Sequence, residues 1–201
     1  MADTPTILYV VRHGESESNQ KNIVAGQVDV PLTDKGREQA RQAKLALKDV
    51  HFDVVYGSDL RRAIETGEII FGAPIPADHQ KTKLRERDYG SLTGKPGAHL
   101  QAMHKVLLSL PDAEVSTYKY VPDMESDDEV RARFISTLEA LAQENSGKTI
   151  LVAAHGATIR TMLMRLQNLT YAAFPTGSFK NAGYVKLKYD HGHLVVEEVA
   201  N

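Results

Sequence analysis

The sequence predicts an α/β fold, with a mostly parallel sheet, helices on both faces and an antiparallel C-terminal edge hairpin. Three observations lead there. Two short apolar runs, Leu8-Tyr9-Val10-Val11 and Ile150-Leu151-Val152-Ala153-Ala154, end in histidine followed by glycine, the first of them through Arg12. Continuous apolar runs of this length read as central strands of a parallel sheet, buried on both faces. Strand-like and helix-like segments alternate along most of the chain, the pattern of a sheet wound with helices. Near the end, Val185, Leu187 and Tyr189 alternate with Lys186 and Lys188, as in a half-exposed strand, and Asp190-His191-Gly192 turns the chain into a partner from His193 to Val199.

Taken in order, Ile7 to Val11 is the first strand. Thr33 caps a helix that runs to about Leu47, with Ala40, Ala43 and Leu47 on one face. Phe52 to Tyr56 is the second strand, and Ser58 is the expected N-cap of a helix carrying Leu60, Ala63, Ile64 and Ile70. Pro74 to Ala77 is expected as a short edge strand, where proline is tolerated. Residues 87 to 97 read as a loop, and Leu100, Met103, Leu107 and Leu110 mark a helix after it. Residues 111 to 125 read as irregular. Ser126-Asp127-Asp128-Glu129 is a capping box for a helix with Val130, Phe134, Leu138 and Leu141 in one stripe. Thr149 to Ala154 is the next strand, followed by a helix from about Thr158 to Leu166. No linker divides residues 1–201, so one domain is expected, with a lid-like insertion around residues 90 to 125.

The 201 residues suffice for one α/β domain with a full core, and the net charge of −2 offers no electrostatic footprint for nucleic acid or a membrane surface. The aromatic residues are scattered rather than interleaved with basic stretches, so no base-stacking platform is expected. With no cysteine there is no disulfide framework, thiolate metal site or thiol nucleophile. Met1 to Thr6 is polar and lacks a basic and apolar leader, and no apolar run has membrane-spanning length. A cytoplasmic protein is expected. No segment specifies an oligomeric state.

In open α/β sheets, ligands bind just beyond the carboxyl ends of the strands. His13 and His155 follow two such ends and are therefore candidates for one pocket. Either alone fits a buried core histidine, but the repeated context and Arg12 beside one of them favour a site. An arginine fork matches two phosphate oxygens and keeps its charge at any relevant pH. A neutral imidazole is a competent nucleophile toward phosphorus when its other nitrogen is held as a donor. Gly14 permits a sharp turn, and Asn19 offers an uncharged donor. The Ser58-Asp59-Leu60-Arg61-Arg62 segment opens a helix whose free N–H groups favour anions; Arg61 is read as solvated. Leu84-Arg85-Glu86-Arg87-Asp88-Tyr89-Gly90 is dense in charge, and a carboxyl group in a partly closed pocket suits a general acid. His191-x-His193 lies on a hairpin with no third ligand nearby and reads as an exposed turn, so no metal site is expected.

Arg12-His13-Gly14-Glu15-Ser16 with Asn19, Ser58-Asp59-Leu60-x-Arg62-Ala63, Leu84-x-Glu86 with Tyr89-Gly90, and Ala154-His155-Gly156 stand in the order found in the histidine phosphatase superfamily. The chain resembles its phosphoglycerate-mutase-like branch from about residue 7 to 199. Pro31-Leu32-Thr33-x-x-Gly36 and Asn181-Ala182-Gly183 look like the same branch. The resemblance implies a phosphoglycerate mutase-like fold and a phosphohistidine formed on His13. It implies that Arg12, Arg62 and His155 surround the phosphoryl group, with His155 protonated at least in the transition state. It places Asn19, the backbone at Gly26, Tyr89 and Gly156 on the phosphate or substrate, and makes Glu86 the acid and then the base. No cofactor is implied, and the partner is a phosphorylated small-molecule substrate.

The family contains mutases as well as phosphatases. The mutases resemble one another in a paired arginine within the insertion, in a lysine after the Tyr-Gly segment and in Asn after the second His-Gly. Here Gln101 to Asp123 has no arginine, Ala157 follows Gly156, Lys95 falls two residues early and Gly97 stands at the matching position. Phosphatase is therefore preferred over mutase, and both over a non-catalytic phosphate-binding module, because all the expected catalytic groups are present. Sugar phosphates, phosphorylated carboxylates, nucleotides and phosphoproteins all fit as substrates.

Overall fold

A computed structural model describes residues 4–175 and 177–201. Its elements run β1 (Thr6–Arg12), α1 (Glu17–Gln20), α2 (Asp34–Ala46), β2 (Val54–Gly57), α3 (Arg61–Phe71), α4 (Ala98–Ser109), α5 (Asp112–Val115), α6 (Asp127–Glu144), β3 (Thr149–Ala154), α7 (Gly156–Leu166), β4 (Tyr184–Asp190) and β5 (His193–Ala200), with three short 3₁₀ turns between Ala77 and Leu92. The five strands form one sheet in the order β2-β3-β1-β4-β5. β1 and β2 both pair with β3 in parallel, β4 runs antiparallel to β1, and β5 antiparallel to β4. The expected mixed sheet is thus observed, with its antiparallel strands at the C-terminal edge.

Alternation along β1 sends its side chains to two different cores. Leu8 and Val10 pack with Phe134, Leu138 and Leu141 of α6 and Ile159, Met162 and Leu163 of α7. Tyr9 and Val11 face the opposite side, against Ala43 and Leu47 at α2 and Ile70 of α3. A third apolar cluster joins Met103 and Leu107 of α4 and Val115 of α5 to Val24, Tyr89, Met124, Met164 and Tyr171. The caps follow the sequence in two helices. Thr33 accepts from the Gly36 amide at 3.0 Å, and Ser126 and Glu129 form the reciprocal box that opens α6. His191 and Gly192 both have positive φ, as a tight hairpin turn requires.

Five expectations are corrected. The second strand begins at Val54, and Phe52 instead packs edge-on against Tyr9 at 5.4 Å. Pro74 to Ala77 is not a strand: Glu68 Oε1 accepts from the Ile75 amide and Gln80 donates to the Ile75 carbonyl, so side chains satisfy this backbone in place of a ladder. The N-cap of α3 is Leu60, not Ser58; Ser58 Oγ accepts from the Leu60 amide at 3.3 Å, and Asp29 reaches over to take the Arg61 amide at 2.8 Å. Within residues 111 to 125 one helical turn, α5, is formed, and α7 starts at Gly156 rather than Thr158.

Candidate active site

Register brings the two histidines together. Arg12 is the β1 partner of Ala154 on β3, so the next residues, His13 and His155, leave the sheet side by side. The His13 amide donates to the Ala154 carbonyl at 3.0 Å, and the imidazole centroids lie 5.2 Å apart in an edge-on arrangement. Beyond them opens a cavity of about 390 Å³ lined by Arg12, His13, Asn19, Gly26, Arg62, Glu86, Tyr89 and Gly156 among others. Of the site residues expected from the sequence, only His155 is not on that lining; it is fully buried against His13.

His13 Nδ1 lies 2.6 Å from the Gly14 carbonyl. A carbonyl only accepts, so Nδ1 carries the proton and Nε2 is left with its lone pair. Burial, then Arg62, then Arg12, hold His13 well below the ordinary imidazole range. His155 is depressed likewise, by burial first and then by Arg62. Among the described residues neither ring nitrogen of His155 has a hydrogen-bond partner, nor do the buried Nε atoms of Arg12 and Arg62. Buried donors without partners are rare in folded proteins, and here they gather at one place.

The cations are held from behind. Arg62, 1 % exposed on the first turn of α3, donates to the carbonyls of Val28 and Gly26, each at 2.8 Å. This grip fixes the loop in which Gly26 takes a positive φ. Arg12 Nη1 donates to the Phe179 carbonyl. Its guanidinium lies across the start of α7, where a Cβ on Gly156 would stand 3.0 Å from Nε and 3.1 Å from Cζ. The Asn19 Oδ1 accepts from the Ser16 amide and from Asn181, so its amide NH₂ is the group left to donate. Glu86 accepts from its neighbour's amide, Arg87, at 2.8 Å and from the Ala157 amide of α7 at 3.2 Å. Asp88 does not line the cavity and accepts from the Gly90 amide. Arg61 is exposed, as the sequence reading has it, and so are His191 and His193.

Sequence reasoning missed a buried ion triad on the same cavity. Arg87 and Arg160 both line it, at 2 % and 4 % exposure, and both pair with Asp127, the first residue of α6. Arg160 also stands over the Tyr171 ring at 4.8 Å. One sequence signal was available: Arg160 stands within the mostly apolar run Ile159 to Met164, a stretch of helix that is buried throughout. Among the described residues no three His, Asp or Glu side chains are grouped to hold a metal ion, and no helix is long and apolar enough to cross a membrane.

The histidine phosphatase superfamily (branch 1) matches this sequence over residues 8–201. The chain belongs to that superfamily. Its relatives there are phosphoglycerate mutase-like and include both phosphatases and mutases. It is 31 % identical over 194 residues to fructose-2,6-bisphosphatase TIGAR B of Danio rerio, covering 94 % of this chain and 71 % of that protein. It is 35 % identical over 170 residues to the 2,3-bisphosphoglycerate-dependent phosphoglycerate mutase of Cytophaga hutchinsonii, covering 82 % and 78 %. Among solved structures, a mutant phosphoserine phosphatase from Entamoeba histolytica in complex with phosphoserine superposes with a TM-score of 0.81 at 26 % identity, covering 98 % of this chain and 97 % of that one.

Proposed function

We propose that this histidine phosphatase superfamily member is a metal-independent phosphomonoesterase that works through a phosphohistidine and acts on a small phosphorylated metabolite. The observation that carries the reading is the convergence of an imidazole with a free Nε2, two arginines and one carboxyl group on a single cavity. His13 Nε2 attacks phosphorus, the ester P–O bond breaks, and Glu86 gives its proton to the leaving oxygen. Water then attacks the phosphohistidine, Glu86 takes a proton from it, and the P–N bond breaks to release inorganic phosphate. Phosphoryl transfer asks for alignment and for positive charge around the equatorial oxygens, and Arg12, Arg62 and a protonated His155 supply that charge.

Phosphatase is preferred over mutase on the far half of the cavity. A side chain at Gly97 would meet Asn22 Oδ1 at 2.1 Å, so the position that matches the mutase lysine is taken up by asparagine. Lys95 is exposed and off the lining. The two further arginines there, Arg87 and Arg160, share Asp127. Relatives from both classes are near one-third identical, so the decision belongs to an assay. Phosphate release is measured over a panel of phosphorylated hydroxy acids, amino acids, sugars and nucleotides, and phosphoglycerate interconversion is measured with and without 2,3-bisphosphoglycerate. Release that needs no bisphosphate, with acid-labile label on His13 after rapid quench, is expected. Interconversion that outpaces release and depends on the bisphosphate would establish the mutase instead; full activity in His13→Ala would remove the mechanism.

A further inference from the structure

The segment that carries Glu86 is gripped by one arginine with no donor to spare. Arg133, on α6, donates through Nε to Glu125 Oε1 at 2.7 Å. Its Nη1 donates to the carbonyls of Lys83 at 2.8 Å and Arg85 at 2.7 Å. Its Nη2 donates to the Glu86 carbonyl at 3.0 Å and to Glu125 Oε2 at 2.8 Å. A guanidinium has five N–H donors, and all five are engaged. Glu125 completes the grip from the other side. Its Oε2 accepts from the Asp88 amide at 2.8 Å, and its own amide donates to the Asp88 carbonyl at 2.9 Å. The pair is largely shielded, with side-chain exposures of 17 % and 21 %.

The same backbone is tied to the phosphate end of the cavity. Gln27 Nε2 donates to the Glu86 carbonyl at 3.0 Å, and its neighbours Gly26 and Val28 are the residues whose carbonyls Arg62 holds. Arg62, the loop 26–28, the Glu86 carbonyl and Arg133 thus form one continuous set of hydrogen bonds. Neither Arg133 nor Glu125 lines the cavity.

We propose that Arg133, clamped by Glu125, is a positioning residue that fixes the backbone of residues 83–88 and so aims the Glu86 carboxyl at the leaving oxygen. The proposal rests on the reading of Glu86 as the acid. Lysine keeps the charge, but its single ammonium cannot span carbonyls three residues apart. A displacement of about 1 Å at a reacting group can cost on the order of 10²-fold in rate.

The test compares wild type, Glu86→Gln, Arg133→Lys and the double variant in the first turnover. The substrates are nitrophenyl phosphate and the alkyl phosphate turned over fastest in the release panel, with rates normalised to burst amplitude so that only folded, competent enzyme is counted. Arg133→Lys is expected to slow the alkyl ester about 10–100-fold and the aryl ester far less, and to add nothing once Glu86 is already Gln. Equal slowing of both esters by Arg133→Lys, or additive loss in the double variant, overturns the proposal. If Glu86→Gln itself slows both esters equally, the acid assignment falls and the proposal with it; a leaving-group effect in Glu86→Gln but not in Arg133→Lys defeats the proposal alone. Should Arg133→Lys not fold, Glu125→Gln carries the same comparison with the same decisive outcomes.

Discussion

Acidification should destabilise the ligand-free protein through its two strand-end histidines. Burial and the neighbouring arginines keep His13 and His155 far below the ordinary imidazole value of 6.5. The sign follows directly. A group that binds its proton less well when folded destabilises the fold as pH drops through the unfolded-state value, because the unfolded chain takes up protons that the folded one refuses. With an unfolded value near 6.5, moving from pH 7.5 to 5.5 removes about 1.4 kcal/mol per histidine, so about 3 kcal/mol for the pair, while both stay neutral in the fold. Denaturant midpoints and slopes across this range measure the loss. His13→Gln and His155→Asn should each reduce the pH slope by about half of that pair term. Inorganic phosphate should also flatten it, because a bound dianion favours the imidazolium. A slope that neither substitution nor phosphate alters would refute the claim that the site holds both rings neutral.

Three further outcomes are expected. Glu86→Gln should slow an alkyl phosphate by about 10²–10⁴ in the first turnover and an aryl phosphate much less; the same leaving-group dependence in Asp88→Asn would move the acid there. Gly156→Ala should lower kcat with little change in unfolding midpoint, because the added methyl presses on the Arg12 guanidinium at 3.0 Å rather than on backbone; unaltered kinetics would show that Arg12 does not act from this position. Excess chelator should leave turnover unchanged, and a large loss restored by magnesium or zinc would require a different mechanism.

What the sequence revealed and what it concealed divide along a physical line. His13, His155, Arg12 and Arg62 stand at the ends of strands or at the start of a helix, and such positions are visible as breaks in hydrophobic pattern; Glu86 lies instead in a charge-dense irregular segment between two short 3₁₀ turns. The meeting of Arg12, His13 and His155 follows from the register of β1 on β3. The elements that went astray are those where side chains compete with the ladder or the cap. Glu68 and Gln80 take over the backbone near Ile75, and Asp29 displaces Ser58 from the expected capping role. Arg87, Asp127, Arg133 and Arg160 were not found, because a charged residue on a helix or in a charged loop segment reads as solvated until its partner is known. Here the partners are 40, 33 and 8 residues away, or are backbone carbonyls 47 to 50 residues away.

The arrangement of charge also explains why two lowered histidines suit this site. Around the cavity, Arg12 and Arg62 face one carboxyl, Glu86, while Arg87 and Arg160 are balanced in part by Asp127. A further proton on either imidazole adds like charge to a buried cluster, so the free protein keeps both rings neutral. Neutral is the form in which the proposed mechanism has His13 act as nucleophile. In the proposed mechanism an arriving phosphate dianion reverses the local field, and the proton that was unfavourable on His155 becomes favourable there, beside the oxygens on which charge develops. On that reading the same groups suppress imidazolium before binding and permit it afterwards. Arg12, fixed against Gly156, and Arg62, fixed on the carbonyls of Gly26 and Val28, need not move for this to happen. In the proposed mechanism the site is preorganised in its cations and switchable only in its protons, which is the division of labour that attack by a neutral imidazole on an anionic ester requires.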